Sequence, residues 1–162
     1  MLWSRRLVLL GASALAGCGF EPVLAPSGSA DDLFGQIDIA FQGGRANFEF
    51  RTRLIERLGQ AGPTAPYRLE YTLGLDETVV TISSDANIDR YNLTGVASFQ
   101  IIEQATNLPV FSDRVRASAG YSATAETFPT RVAARDAELR LVQALADQMV
   151  QIIQLSADQI IQ

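Results

Sequence analysis

The single cysteine of this 162-residue chain carries its most specific chemistry. Cys18 follows Leu15-Ala16-Gly17, behind a basic pair, Arg5 and Arg6, and an apolar run from Leu7 to Leu15. That is the pattern of a bacterial lipoprotein export signal, with small residues where a signal peptidase cuts. The apolar run is shorter than the roughly 20 residues a membrane-spanning helix needs. Cleavage before Cys18 would leave a thiol to carry a diacylglycerol and an amine to carry a further acyl chain. At about 0.8 kcal/mol per buried CH2, two or three such chains make a stable anchor. An ordinary secretory signal with an incidental cysteine is the plainer alternative. With no other cysteine the rest of the chain has no disulfide, so its core alone must hold the fold.

Missing residue types exclude more chemistry than the present ones suggest. Histidine is absent and all 13 basic residues are arginine. No Ser-His-Asp or Cys-His nucleophile system, Ser-Lys dyad, Schiff base or Walker A loop can be built, nor a zinc site of His and Cys. Scattered carboxylates remain. Asp85 and Asp89 have the spacing and oxygen chemistry for a hard cation, although two carboxylates in a turn read equally as solvated. Glu126, Asp136 and Glu138 read as helix-start charges and surface pairs. These residues do not suggest an enzyme, and no cofactor is expected beyond the lipid on Cys18. Beyond Arg6, 11 arginines face 18 acids, a net charge of −7. That balance argues against nucleic acid, whose affinity comes largely from phosphate neutralisation.

Three segments follow from this reading: a signal at 1–17, a lipidated N-terminus and flexible tether at 18–33, and a single domain at 34–162. The tether has two prolines, Pro22 and Pro26, and no periodicity. Gly19, directly after Cys18, lacks the aspartate that holds many lipoproteins in the inner membrane, so the periplasmic face of the outer membrane is the expected location.

Hydrophobic periodicity orders the body. Gln36 to Phe41 alternates, with Ile37, Ile39 and Phe41 on one face, and predicts a first strand. A helix follows, with Asn47 as its cap and an apolar stripe of Phe50, Leu54, Ile55 and Leu58. Tyr67 to Leu75 is a clear strand, and the apolar phase then shifts to Val80 and Ile82, which predicts a bulge between Asp76 and Thr78. After a turn at Ser83 to Asn87, Tyr91 to Ile101 predicts a third strand. Thr106-Asn107-Leu108-Pro109 closes a hairpin. The fourth strand carries Phe111, Val115, Ala117, Ala119 and Tyr121 on one face, and Ser112, Arg114, Arg116 and Ser118 on the other. Tyr67, Tyr71, Tyr91 and Phe99 read as core. A last helix runs from Pro129 to about Leu155, roughly 40 Å at 1.5 Å per residue.

The order β-α-β-β-β-α implies an α+β fold: a mixed four-stranded sheet with two helices packed on one face. The first crossover is long enough to make strands one and two parallel. The helices leave the other face polar, and that face and the sheet edges are where a partner can dock.

This element order, with Cys18-Gly19-Phe20-x-Pro22, resembles the lipopolysaccharide-assembly lipoprotein family, LptE. Asp89-Arg90-Tyr91-Asn92-Leu93-Thr94-Gly95 is similar to that family's third strand, and Tyr121 with Ala133, Ala137 and Leu145-Ala146-Asp147 to its last helix. The resemblance covers essentially residues 18 to 155. It implies a non-enzymatic outer-membrane subunit that plugs the β-barrel translocon LptD, assists its assembly and contributes to delivery of lipopolysaccharide to the outer leaflet. Members bind lipopolysaccharide partly through basic residues, which a chain without lysine must replace with local arginines. Arg90, Arg114, Arg116 and Arg131 are the candidate contacts, since arginine pairs phosphate bidentately. Each, taken alone, also reads as a solvated arginine. A competing reading is an auxiliary lipoprotein of an ABC-type lipid transport system.

Overall fold

A computed structural model describes residues 29–82, 88–123 and 126–161. In chain order its elements are α1 (Ser29–Asp32), β1 (Ile37–Ile39), α2 (Arg45–Leu58), β2 (Tyr67–Ile82), β3 (Ile88–Glu103), β4 (Leu108–Ser122), α3 (Thr127–Leu155) and α4 (Ala157–Ile160). The sheet order is β1-β2-β3-β4, with β1 parallel to β2 and the other neighbours antiparallel. This is the expected α+β architecture with its β-α-β crossover and three-strand meander.

One sheet face carries the core because alternate residues of three strands are apolar. Leu69 and Tyr71 on β2, Leu93, Ala97, Phe99 and Ile101 on β3, and Val115 on β4 are all buried. Against them lie Phe50, Leu54 and Leu58 of α2, and Ala137, Leu141, Leu145, Met149 and Ile153 of α3. The ring centroids of Phe50 and Tyr71 are 4.9 Å apart. Each fully buried side chain of this size contributes about 1.5–3 kcal/mol of hydrophobic stabilisation. The two helices are also pinned to one another: Arg53 Nε and Nη2 donate to the two oxygens of Asp147, each at 3.0 Å. That pairing, followed by Glu56, pushes the Arg53 guanidinium still further up from its ordinary value.

α3 lies close to the sheet because β3 supplies a glycine under it. A Cβ at Gly95 would stand 2.6 Å from Leu145 Cδ1 and 3.3 Å from Leu141 Cγ. Gly59, which ends α2 with φ +81°, is fixed by both conformation and space, since a Cβ there would meet the Phe34 ring at 2.8 Å.

Leu33 is buried in the same core cluster as Ala157 and Ile160. Four local expectations are corrected. β1 stops at Ile39, and Phe41 is 74% exposed instead of sharing the core face with Ile37 and Ile39. α2 starts at Arg45 with Gly44 as its N-cap; Asn47 lies inside the first turn and its Nδ2 donates back to the Gly43 carbonyl at 2.8 Å. Helical geometry continued one turn further upstream than a search for a side-chain cap allowed. β2 runs unbroken through Asp76 to Thr78, and its register shifts fall later, between Val79 and Ile82. Pairing with Tyr91, Asn92 and Leu93 holds the strand in phase that far. α3 begins at Thr127, two residues before Pro129, with Glu126 as its N-cap, and the Thr130 hydroxyl donates to the Glu126 carbonyl at 2.9 Å. The turn at 83–87 lies outside the described residues.

Candidate functional site

The face of the sheet turned away from the helices is lined by the second half of each strand's alternation. β2 supplies Arg68, Glu70, Thr72 and Asp76; β3 supplies Arg90, Asn92, Thr94, Ser98 and Gln100; β4 supplies Ser112, Arg114, Arg116 and Ser118. No helix covers it among the described residues. Its charge is divided. The acids sit on β2, where Glu70 pairs with Arg68 at 3.1 Å and accepts from Gln100 Nε2 at 3.0 Å. Arginines without an acid sit on β3 and β4. Ahead of Glu70, Ser98 and Ser112 lies a shallow cleft of about 450 Å³, edged by Phe41 and Gln42. Gln42 Nε2 donates to the Tyr71 carbonyl and holds this rim against β2.

The four arginines singled out from the sequence do not form one cluster. Arg114 and Arg116 are successive outward residues of β4, opposite Ser98 and Val96. Arg90 lies opposite Ser122, six residues further along β4, which is about 20 Å at 3.4 Å per residue. Arg131 belongs to α3, in the layer on the other side of the sheet. All four are exposed and none makes an ion pair within the described residues. Asp85 lies outside the described residues, as does the side chain of Asp89. Among the described residues no group of three or more His, Cys, Asp or Glu is placed to hold a metal ion.

The far end of the sheet holds a second arrangement. Tyr91 and Tyr121, directly opposed on β3 and β4, stack with centroids 5.0 Å apart and planes 8° from parallel. The Tyr121 hydroxyl donates to Glu77 Oε2 at 3.0 Å. Burial first, and then the bond to Glu77, push the Tyr121 phenol up to about 12. Sequence reading gave Glu77 no role because its partner lies 44 residues away. At the same end Val79, Val80, Phe128 and Val132 are exposed.

Sequence reasoning also missed Arg140. It pairs with Asp136, one turn apart on α3, and its Nη2 also donates to the Gly120 carbonyl of β4 at 3.3 Å. Only the packing of α3 over β4 puts that carbonyl in reach.

The described residues thus form a mixed sheet with one helical layer and one polar face that no described helix covers. The family model for LptE, lipopolysaccharide-assembly, matches residues 34–153. The chain therefore belongs to the LptE family. No curated protein matches it. Solved structures share the fold. A candidate lipoprotein from Caulobacter crescentus superposes with a TM-score of 0.67 at 15% identity, over 80% of this chain and 96% of that one. Rare lipoprotein B from Shewanella oneidensis gives 0.50 at 16% identity, over 78% and 98%. A lipoprotein B from Nitrosomonas europaea gives 0.59 at 10% identity, over 77% and 85%.

Proposed function

We propose that this chain is an outer-membrane lipoprotein, acylated at Cys18 after removal of residues 1–17, whose body plugs an LptD-type β-barrel. In that position it assists assembly of the barrel and contributes to delivery of lipopolysaccharide to the outer leaflet. The observation that carries this reading is the match to the lipopolysaccharide-assembly family across almost the whole folded body. The chemistry agrees with it: a chain with neither histidine nor lysine is poorly equipped for catalysis, and a broad polar sheet face is suited to contact. No described helix is long and apolar enough to cross a membrane, and in this reading the lipid on Cys18 is the attachment.

Affinity purification of the tagged full chain from detergent-solubilised membranes is the test. A large outer-membrane β-barrel should co-purify. Recovery of inner-membrane transport components in its place would overturn the reading in favour of an ABC-type auxiliary lipoprotein. Palmitate labelling that is absent from the wild type, or that survives Cys18→Ala, would remove the anchor from it. Glycolipid contact rests on the arginines, and Arg90 and Arg131 give the clearest test because both are exposed and neither makes an ion pair within the described residues. Charge reversal at either should weaken lipopolysaccharide binding and leave the fold intact; unchanged binding by both would leave a scaffold for the barrel only.

A further inference from the structure

β4 is the long free edge of the sheet, and it is guarded at both ends but open in between. Residues of an edge strand alternate between pairing inward and presenting both N–H and C=O outward. Two contacts identify the outward set here. The Gly120 carbonyl accepts from Arg140, and the Arg114 N–H donates to Asp113 Oδ1 at 2.7 Å, neither being used by β3. The β3–β4 register is regular from Ile101↔Phe111 to Arg90↔Ser122, so Arg116 and Ser118 share that outward orientation.

The guards are those that natural edges use against unwanted pairing. Pro109 removes a donor at the start of β4, Asp113 occupies the Arg114 N–H, and Arg140 occupies the Gly120 carbonyl. Between them remain the Arg114 carbonyl, both backbone groups of Arg116 and of Ser118, and the Gly120 N–H. Nothing within the described residues pairs with these. They match a guest strand of about five residues, in which residues opposite Arg116 and Ser118 exchange both backbone bonds.

We propose that this window of β4, Arg114 to Gly120, accepts an extended segment of the barrel partner as a fifth strand, with carboxylates at alternate positions facing Arg114 and Arg116. Charge selects that occupant. The two guanidiniums stand on one face, two residues apart, with no acid of β4 on that face; Asp113 alternates to the other face, opposite Phe99, and Glu70 and Asp76 are two strands away. A second copy of this chain is a poor guest, because antiparallel self-pairing would gather Arg114 and Arg116 of both copies on one face without a carboxylate. An acidic strand supplies backbone partners and counter-charges together, and Arg with carboxylate is the stronger, often bidentate kind of bond. The inference rests on the plug reading and adds to it the surface and the chemistry of contact.

Hydrogen exchange on the full chain, free and co-purified with the LptD-type barrel of the same genome, tests it. In the complex the amides of Arg116, Ser118 and Gly120 should slow by at least about tenfold. Ser118→Pro deletes an outward donor without touching the β3 ladder, so it should keep the thermal midpoint and lose about tenfold in barrel retention. Arg116→Glu should do the same by charge, and serves if the proline variant fails to fold. A wild-type complex without protection at these amides overturns the strand inference and leaves the plug reading standing. Failure of the wild type to bind the barrel overturns both. Protection produced by lipopolysaccharide alone would make the glycolipid the occupant and also overturn the proposal.

Discussion

Gly74 and Gly95 lie one register step apart on β2 and β3 and face opposite ways. A Cβ on Gly95 would collide with α3, whereas one on Gly74 would find nothing closer than the Val96 carbonyl at 3.9 Å. The two faces of one sheet therefore do different work. The inner face is filled to the point where only hydrogen fits under Leu145; the outer face has room, polar side chains and unpaired charge. Stability is drawn from the first, which leaves the second free for a partner.

Substitutions that probe each face should break or sharpen this contrast. Leu145→Ala, at a fully buried contact of α3, should cost most, about 3 kcal/mol in urea unfolding. A loss below about 1 kcal/mol would mean that α3 is not tightly docked. Gly95→Val should follow at about 2 kcal/mol through overpacking. Gly74→Ala should be neutral or stabilise by up to about 0.5 kcal/mol, because the outer face accommodates a methyl and alanine loses less chain entropy than glycine. Equal effects at the two glycines would refute the asymmetry.

The smallest effect concerns the far end of the sheet. The Tyr121 phenol, pushed up to about 12 by burial and its bond to Glu77, ionises in the unfolded chain near the ordinary value of about 10. The unfolded chain thus gives up its proton first, so the contribution present below about pH 10 is lost as pH rises towards 12. Tyr121→Phe should flatten that decline and remove the corresponding step from an ultraviolet titration of tyrosinate. If the amplitude lost in the variant falls near the ordinary value of about 10, the Tyr121 phenol is not held up by burial and Glu77 in solution.

Much of this architecture was legible from periodicity. Alternation from Tyr67 to Leu75 and from Tyr91 to Ile101 was enough to place two strands and their buried faces, because one inward and one outward residue per pair is a property of strand geometry. The long 3.6-residue stripe of α3 was equally plain. Legibility failed where local and non-local terms compete. Asn47 has the chemistry of a cap, yet α2 began upstream of it. The apolar shift after Asp76 suggested a bulge, yet cross-strand pairing carried the strand on to Val79.

For the candidate site, the residue types came from the sequence and the grouping did not. Arg114 and Arg116 could be placed together from a spacing of two, which puts them on one face of one strand. That Arg90 lies far along the same face, that Arg131 stands in the helical layer, and that Arg140 reaches the edge of β4 follow only from packing. The pattern of an export signal that ends at Cys18 is local in the same sense as a strand's alternation, since it lies within a few consecutive residues. What the chain by itself determined is thus its residue chemistry and its local geometry: the lipobox-like pattern at Cys18, the absence of histidine and lysine, the elements and their faces. The tertiary structure decided which edge stayed open and which carbonyls were already taken. Those depend on residues tens of positions apart, brought together by burial of a common core whose contacts no local pattern encodes.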